Sequence, residues 1–485
     1  MRVKLTKKPA GDSKTAPLQP IFAIIVIILP LQVGLAHRIM AQNNTQLRKL
    51  LGVGFGIAVT IGGTIGTGIL RKPGPIAQDI GDPTLIIGVW LLVGIYALIG
   101  SLSVIELGTM LPKAGAWYVY ARRAFGDYAG FVIGICSWLG SVSAMAFGAS
   151  VMSEYIALLL PATAGNEKAV AIGILLAFVA FHWLGVRSAS RAQEIMSVLK
   201  AVGLLAFVIA CFAFSPGSSA AASSDTVRPL AEGGVWLGVL AALQSVFYTY
   251  DGWHTAAYFT EEDVDPSRNL PRSMISGVLL IIGIYVLVNL ALLYVLPMDT
   301  LAGSKLAAAD AVQLLFGPGS AQVVTFLLMI SIMGIINAQI MFNPRVIFAM
   351  ARDGLFFRFV TPVNAGGTPA IAVLLTALAS IALILTNTYS KLSDIATFFF
   401  VLCYASGFAS LIRLRQTEPG LPRPVRAWGY PFSTWTLLIA SLAFLLGVVI
   451  GDLNSSIYAI GFILISYPLY RLLRRSVGVV GQSRS

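Results

Sequence analysis

The sequence predicts an all-α polytopic membrane protein, and three observations lead to this fold class. Hydrophobic residues make up 57% of the 485 positions and charged residues only 11%, whereas soluble domains carry about 25% charged residues. The mean hydropathy is +0.83. Apolar segments recur along the chain, each close to the roughly 20 residues with which a helix crosses a bilayer.

Twelve such segments can be delimited along the chain. They are residues 50–70, 84–106, 127–159, 168–186, 193–214, 235–259, 273–297, 319–350, 369–388, 392–413, 433–451 and 455–472. Several exceed the thickness of a bilayer, which indicates tilt or an extension beyond the membrane. We therefore expect twelve transmembrane helices.

Basic residues predict the orientation. The chain holds 33 lysines and arginines against 21 aspartates and glutamates, a net charge of +12. Most basic residues of the links follow even-numbered segments: Lys113, Arg122, Arg123, Arg187, Arg191, Arg268, Arg272, Arg352, Arg358, Arg413, Arg415, Arg423, Arg426, Arg471, Arg474 and Arg475. Cytoplasmic links collect such residues. Both termini are therefore predicted to be cytoplasmic, in a plasma or bacterial inner membrane, and the charge indicates no nucleic-acid partner.

Residues 1–49 are expected to form a cytoplasmic or extraneous N-terminal segment, and the first 39 of them do not fit the pattern of spans. An apolar run at residues 21–36 is short and contains Pro30 and Gln32. If it spanned the membrane, every later link would break the charge rule. One interpretation is that Met40 is the natural start and residues 1–39 are an upstream extension. An interfacial helix or a cleaved signal-like segment are the alternatives.

The chain shows no sign of an enzyme, a metal or a cofactor. Its three cysteines, Cys136, Cys211 and Cys403, all lie within apolar segments, so the sequence predicts neither a disulfide framework nor a zinc site. The usual motifs of hydrolases, metalloproteases and nucleotide-binding loops are missing. No catalytic residue is predicted.

The first segment contains "IGGTIGTGI" at residues 61–69, and its glycines are poor helix formers. If the helix opens here, the amides of Gly66, Thr67 and Gly68 are free to bind a carboxylate. Carbonyl groups near Gly63 and Thr64 would be free to bind an ammonium group. The alternative is that the glycines only allow close packing of helices.

The sixth segment contains a second weak point. In "FYTYDGWHTAAYFTEE", residues 247–262, Asp251 and Gly252 interrupt an apolar run, and an ionisable residue at membrane depth is a functional candidate. The carbonyl groups of Tyr248 and Thr249 would add acceptors for an ammonium group. Interrupted spans at corresponding places in two halves are typical of secondary transporters built from inverted repeats.

Longer motifs carry a family resemblance. "IGGTIGTGIL", "ALIGSLSVIELGTMLPKAGAWYVYARRAFGDYAGF", "YTYDGWHTAAYFTEEDVDPSRNLPRSM", "MARDGL" and "EPGLPRPVRAWGYP" resemble the amino acid–polyamine–organocation (APC) permeases. The branch of L-type amino acid transporters and their bacterial relatives is the most similar. The resemblance runs from about Gly52 to Arg475. It implies the leucine-transporter fold, with a five-helix repeat at 50–214, an inverted one at 235–413, two further helices at 433–472 and a tail at 473–485.

The resemblance also assigns roles to residues. Gly66, Thr67 and Gly68 match the carboxylate site, and Thr64 falls where a carbonyl meets the substrate amine. Tyr248 matches the aromatic residue that closes over the substrate.

Thr249 and Asp251 flank the second break, where many relatives have glycine instead of Asp251. One possibility is that the carboxylate of Asp251 favours cationic substrates. The alternative is that it caps a half-helix or pairs with another group inside the protein.

Lys200, in the fifth segment, occupies the place where sodium-coupled cousins of the family bind their ion. We expect it to replace sodium and to gate or couple proton movement. A structural cation bound to carbonyl groups freed in the first span is the alternative.

The function implied is amino acid transport by alternating access, as a sodium-independent proton symporter or an exchanger. A polyamine or cationic amino acid transporter and a non-transporting amino acid sensor remain as alternatives. The link between the third and fourth segments, "LPATAGNEKAV", has no cysteine, so no disulfide-linked partner subunit is expected.

Other polar residues have structural or mixed interpretations. Glu106 is expected to make a structural contact. Asn337 and Gln339 either line the cavity or pack between helices. A charge cluster forms either an inner gate or a solvated loop; its members are Glu261, Glu262, Arg268 and Arg272.

Overall fold

A computed structural model describes residues 46–215, 234–386, 389–451 and 453–482. The predictions for residues 21–36 and for Met40 fall outside the described residues. Within the described ranges the chain is helical and forms no β-strand, apart from an isolated bridge between Leu51 and Asp263.

The helices are numbered here in chain order. They are α1 (Val53–Thr64), α2 (Gly68–Arg71), α3 (Pro73–Ile80), α4 (Pro83–Met110), α5 (Trp117–Phe125), α6 (Asp127–Leu159), α7 (Glu167–Trp183), α8 (Val186–Phe214), α9 (Val235–Tyr250), α10 (Pro266–Val295), α11 (Met298–Ala302), α12 (Ala307–Phe316), α13 (Ala321–Arg352), α14 (Ala370–Thr386), α15 (Tyr389–Thr417), α16 (Phe432–Gly451) and α17 (Leu453–Gln482). Short 3₁₀ helices cover Pro161–Thr163, Thr255–Phe259 and Arg358–Val360.

Each predicted apolar segment contains at least one of these helices. Among the described residues, eight helical stretches are long and apolar enough to cross a membrane, counting Val53–Arg71 (α1 and α2) as one, so the count of twelve spans stays a prediction. The helix α17 continues to Gln482, beyond the predicted end at residue 472. The predicted segments do not include α3, α5, α11 and α12, because these helices are short and their apolar residues do not form a run of spanning length.

Burial shows which helices form the centre of the bundle. In the most apolar 18-residue stretch of α6, 83% is buried inside the protein, whereas in the corresponding stretch of α16 only 22% is buried. A core helix of this kind is apolar on all sides, which explains why α6 was easy to recognise. The helix α16 lies at the periphery with one side exposed.

Links that the charge pattern predicts on one side do meet at one end of the bundle. The amides of Leu50 and Leu51 both donate to the carbonyl oxygen of Glu262 at 3.0 Å, and the amide of Ala114 donates to the Glu261 carboxylate at 2.9 Å. We call this end the basic end. The N-terminal segment and the links after α4 and after the 3₁₀ helix Thr255–Phe259 close it together.

Glu106 anchors the basic end, as expected from its structural interpretation. Its buried carboxylate accepts hydrogen bonds from Arg415 Nε at 2.8 Å and from the amide of Ala427 at 2.6 Å. Arg423 Nε lies 3.3 Å from the same carboxylate. The contacts tie α4 to α15 and to the link before α16.

We predict that Glu106→Gln destabilises the protein. Removing one charge of a buried pair costs about 3–5 kcal/mol, and because glutamine keeps the shape of the side chain we expect about 2–3 kcal/mol here. The readout is the unfolding temperature of the purified protein in detergent. Asp299→Asn, at an exposed position of α11, is the control and should leave that temperature unchanged. An unchanged temperature for Glu106→Gln would contradict the anchoring role.

Candidate functional site

The first predicted interruption is present. The helix α1 ends at Thr64, Ile65 is extended (φ −72°, ψ 102°), and α2 begins at Gly68. The amides of Gly66, Thr67 and Gly68 donate no hydrogen bond to any other described residue. The helix α2 is only four residues long. An anion here would therefore meet free N–H groups rather than the dipole of a long helix.

The second interruption is present too. The helix α9 ends at Tyr250, Asp251 has ψ 141°, and Gly252 has φ +106°. A Cβ atom added to Gly252 would lie 2.6 Å from the carbonyl carbon of Gly63. Glycine is thus required at position 252 for two reasons, the positive φ angle and the close approach of the two backbones. The two breaks touch each other directly.

The breaks open onto one cavity. It has a volume of about 100 Å³, below the range of about 300–1,000 Å³ typical of sites for drug-sized ligands. All eight substrate-site residues predicted from the sequence line it: Gly63, Thr64, Gly66, Thr67, Gly68, Tyr248, Thr249 and Asp251. Apolar walls come from α6, α13 and α15, including Phe147, Ile335 and Phe400.

Tyr285, on α10, joins the two breaks. Its hydroxyl lies 3.1 Å from the carbonyl oxygen of Thr64 and 3.0 Å from that of Thr249. The ring is fully buried and packs edge-on against Trp90 and Tyr250, with centroids 5.3 and 4.9 Å away. Tyr285 was not predicted as a site residue, because a single tyrosine in an apolar helix is common in ordinary packing.

Lys200 binds the carbonyl groups freed in the first span. Its Nζ donates to the carbonyl oxygens of Gly62 and Ile65, each at 2.9 Å, and the side chain is fully buried. No ion pair between described residues includes Lys200. This geometry is the one expected of a structural cation that binds carbonyl groups freed in the first span. A role of Lys200 in proton coupling or gating stays a prediction.

Asp251 lines the cavity and also pairs internally. The hydroxyl of Tyr404, on α15, hydrogen-bonds to its carboxylate, and the same hydroxyl lies 3.4 Å from Nδ1 of His254. Tyr404 is 1% exposed and packs against Trp117 and Trp253 at 5.5 Å. The internal-pairing interpretation is therefore realised, and Tyr404 is a site residue that the sequence analysis did not single out.

The predicted charge cluster separates into two parts. Glu262 and Arg345 form a buried ion pair, with Arg345 Nη2 2.7 Å from the carboxylate and the guanidinium 4.6 Å from the ring of Phe259. Arg268 and Arg272 are exposed. The acids therefore belong to a closed layer at the basic end, whereas the two arginines belong to a solvated surface.

Glu261 completes that closed layer. Arg352 Nη2 donates to its carboxylate at 2.8 Å, and Ala114 adds its amide. Burial raises the pKa of Glu261, but the Arg352 guanidinium and the Ala114 amide outweigh it, so the pKa stays below its ordinary value. The pair is consequently ionised at neutral pH.

Asn337 and Gln339 take different roles. Asn337 is fully buried and hydrogen-bonds to His182 at 3.0 Å and to Gln193 at 2.7 Å, so it packs between α7, α8 and α13. Gln339 lines the cavity. Of the two predicted alternatives, Asn337 therefore follows packing between helices and Gln339 follows lining of the cavity.

We predict that Gly252→Ala destabilises the protein by about 1–3 kcal/mol, the usual cost of forcing a non-glycine residue into a strained backbone region. The thermal unfolding temperature in detergent is the measurement. Gly283→Ala is the matched control, because a Cβ at Gly283 in α10 meets nothing within 4 Å. Equal unfolding temperatures for the two variants would refute the required close approach of the breaks.

Comparison with known proteins gives a family match. A sequence model of the family described as "Amino acid permease" matches residues 56–466. The chain is 28% identical over 445 residues to the serine/threonine exchanger SteT of Bacillus subtilis, covering 89% of this chain and 98% of the relative.

Animal proteins are similar as well. The large neutral amino acids transporter small subunit 2 of Mus musculus is 30% identical over 407 residues, or 79% of this chain and 73% of the relative. The Asc-type amino acid transporter 1 of Mus musculus is 28% identical over 403 residues, or 80% and 74%.

Proposed function

The chain belongs to the amino acid permease family, and we propose that it moves amino acids across a membrane by alternating access. The observation that carries the proposal is the set of unpaired amides at Gly66, Thr67 and Gly68, which face a cavity lined by both helix breaks. A substrate carboxylate pairs with free backbone N–H groups of this kind. The apolar walls receive the side chain of the substrate.

The architecture we propose has twelve transmembrane helices. Two inverted five-helix repeats, residues 50–214 and 235–413, precede two further helices at 433–472 and a tail at 473–485. Support comes from the two interrupted helices at corresponding places. The basic end faces the cytoplasm in this arrangement, and both termini lie there.

Relatives suggest the class of substrate. Those named above are a serine/threonine exchanger, a large neutral amino acid transporter and an Asc-type amino acid transporter. Neutral amino acids are therefore the first candidates. Transport of cationic amino acids or polyamines is the alternative, which Asp251 supports because its carboxylate lines the cavity.

The described conformation corresponds to one state of the transport cycle. The cavity lining extends along α6 from Ala144 to Val151, away from the helix end that begins at Asp127. Toward the basic end, the buried pair of Glu262 and Arg345 closes the path. Alternating access then requires this pair to separate while the opposite side closes.

Counterflow in proteoliposomes tests the function. Vesicles preloaded with an unlabelled amino acid should transiently accumulate the labelled one, in sodium-free buffer. A panel of serine, threonine, alanine, leucine, lysine and putrescine separates the substrate classes. If none of these compounds is exchanged, transport is excluded and the sensor on the same scaffold becomes the better hypothesis.

A matched pair of variants locates the site. Gly66→Val should lower counterflow at least about tenfold, the effect of 1.4 kcal/mol of lost binding, because a Cβ there crowds Ile335 across the cavity. Gly54→Val is the control, since a Cβ at Gly54 meets nothing within 4 Å. Equal counterflow in both variants would place the substrate elsewhere.

Lys200 is the proposed substitute for a sodium ion. We predict equal uptake in sodium and in sodium-free buffers, and loss of uptake in Lys200→Met, because the carbonyl groups of Gly62 and Ile65 then lose their donor. The measurement is labelled amino acid uptake, with exposed Lys305→Met as control. Sodium-dependent uptake by the unaltered protein would contradict this role. An acid optimum of uptake would support proton coupling, and its absence would favour exchange.

A further inference from the structure

Three polar side chains form a line that begins at the cavity and continues into the protein. Asp251 lines the cavity, and the hydroxyl of Tyr404 hydrogen-bonds to its carboxylate. Nδ1 of His254 lies 3.4 Å from the same hydroxyl. Tyr404 and His254 are only 1% and 5% exposed. Ionisable side chains at membrane depth are costly, and rows of them commonly mark the routes of ions and protons.

The Tyr404 hydroxyl links the other two groups because a hydroxyl both donates and accepts. Its single proton goes to the Asp251 carboxylate, which only accepts when ionised. Its oxygen faces Nδ1 of His254, and a histidine ring nitrogen donates or accepts according to the tautomer. The 3.4 Å contact is long for a hydrogen bond, as contacts between proton-transfer groups often are before substrate binds. The three groups thus form a path for a proton.

Tyr404 lies on the side of the cavity that faces the basic end. Phe400 lines the cavity, and Tyr404 follows it by one turn of α15. The same helix continues to Arg415, whose guanidinium binds Glu106 at the basic end. The step from the cavity wall to Tyr404 is therefore a step toward the basic end.

His254 lies on the same side. Its ring is 5.8 Å from that of Tyr258, whose hydroxyl is 2.9 Å from that of Ser137 on α6. Ser137 precedes Ala144, the first residue of α6 in the cavity lining, by about 10 Å of helix. Because α6 begins at Asp127, directly after α5, the path extends from the cavity toward the links of the basic end.

No neighbouring ion pair holds either end of the path. The ion pairs found between described residues include neither Asp251 nor His254. The other ionisable groups around the path are side chains that are ordinarily neutral at pH 7. They are Tyr96 of α4, Tyr120 of α5, Cys136 of α6, Cys403 of α15 and Tyr258 of the 3₁₀ helix that follows His254. Asp251 and His254 are therefore the two groups here that are available to hold a proton.

Aromatic rings enclose the inner end of the path. Trp117 and Trp253 lie 5.1 and 5.4 Å from the His254 ring and are 1% and 2% exposed. Trp117 is the first residue of α5, directly after the link that closes the basic end. Opening of that end would move Trp117 and admit water to His254. Access to the inner end of the path is thus tied to the same movement that releases a substrate.

Resting on the function proposed above, we propose that Asp251, Tyr404 and His254 form a relay that carries a proton inward together with the substrate. A proton from the cavity adds to the Asp251 carboxylate. The resulting acid gives this proton to the Tyr404 oxygen while the Tyr404 hydroxyl proton passes to Nδ1 of His254. Asp251 is then ionised again and Tyr404 is unchanged. His254 has become an imidazolium, which releases its Nε2 proton when the basic end opens.

The test uses the purified full chain in proteoliposomes that contain a trapped pH-sensitive dye, with potassium and valinomycin to hold the membrane potential at zero. L-Serine, L-alanine and L-leucine are added outside in turn, in sodium-free buffer. A transported compound should acidify the lumen. An external pH one unit below the internal pH should raise its accumulation up to about tenfold, since one pH unit is a tenfold proton ratio.

Two variants interrupt the relay at different members. His254→Gln and Tyr404→Phe should each slow lumen acidification about 100-fold, the lower value of what a positioned acid or base contributes to proton transfer. Counterflow at equal pH needs no net proton movement, so it should fall by less than about tenfold, the value of one neutral hydrogen bond. The ratio of acidification to counterflow should therefore drop at least about tenfold, which a merely structural defect would not cause.

His182→Gln is the matched control. Among the described residues His182 is the other buried histidine, and its ring hydrogen-bonds to Asn337 rather than to a member of the relay. Its ratio of acidification to counterflow should equal that of the unaltered protein. An equal drop of the ratio in His182→Gln would overturn the relay, because the loss would not depend on the path.

Other outcomes also decide. Counterflow without lumen acidification in the unaltered protein would overturn the relay and identify an exchanger. An unchanged ratio in His254→Gln or in Tyr404→Phe would overturn it too, and either variant suffices if the other does not purify as a folded protein. Absence of both counterflow and uptake for every compound would contradict transport itself, so the two failures are distinguishable.

Discussion

The structure depends on the contact between two broken helices. Where Gly63 meets Gly252, two backbones lie too close for a side chain at Gly252, and backbone groups that a continuous helix would have paired are left without partners. The hydrocarbon core of a bilayer offers these backbone groups no hydrogen-bond partner. The protein therefore has to satisfy these groups from its own side chains, and much of the surrounding polar architecture follows from that requirement.

The two kinds of backbone group are treated differently. Carbonyl oxygens of both breaks are bound by Tyr285 and Lys200, whereas the amides after the first break are left unpaired. The asymmetry leaves free hydrogen-bond donors along a cavity that the Asp251 side chain also lines. Because α8 and α10 supply the donors to the carbonyl groups, any movement of the first break has to involve those helices.

Much of this could be read from the sequence, for physical reasons. Glycines and an aspartate within apolar runs are anomalous in a membrane helix, and all eight residues chosen on that basis line the cavity. Tyr285 and Tyr404 could not be recognised, because a tyrosine in an apolar segment is equally at home in ordinary packing. Gln339 and Asn337 have similar chemistry and sequence context, and only tertiary packing separates their roles.

The cation at the first break belongs to the protein itself, as the side chain of Lys200. An ion held by the first break would be lost by mass action whenever its concentration fell below its dissociation constant, and the stability it contributes would be lost with it. The ammonium group of Lys200 is attached by a covalent arm, so its effective concentration at Gly62 and Ile65 does not depend on the medium. These two hydrogen bonds at the break therefore need no ion from the medium.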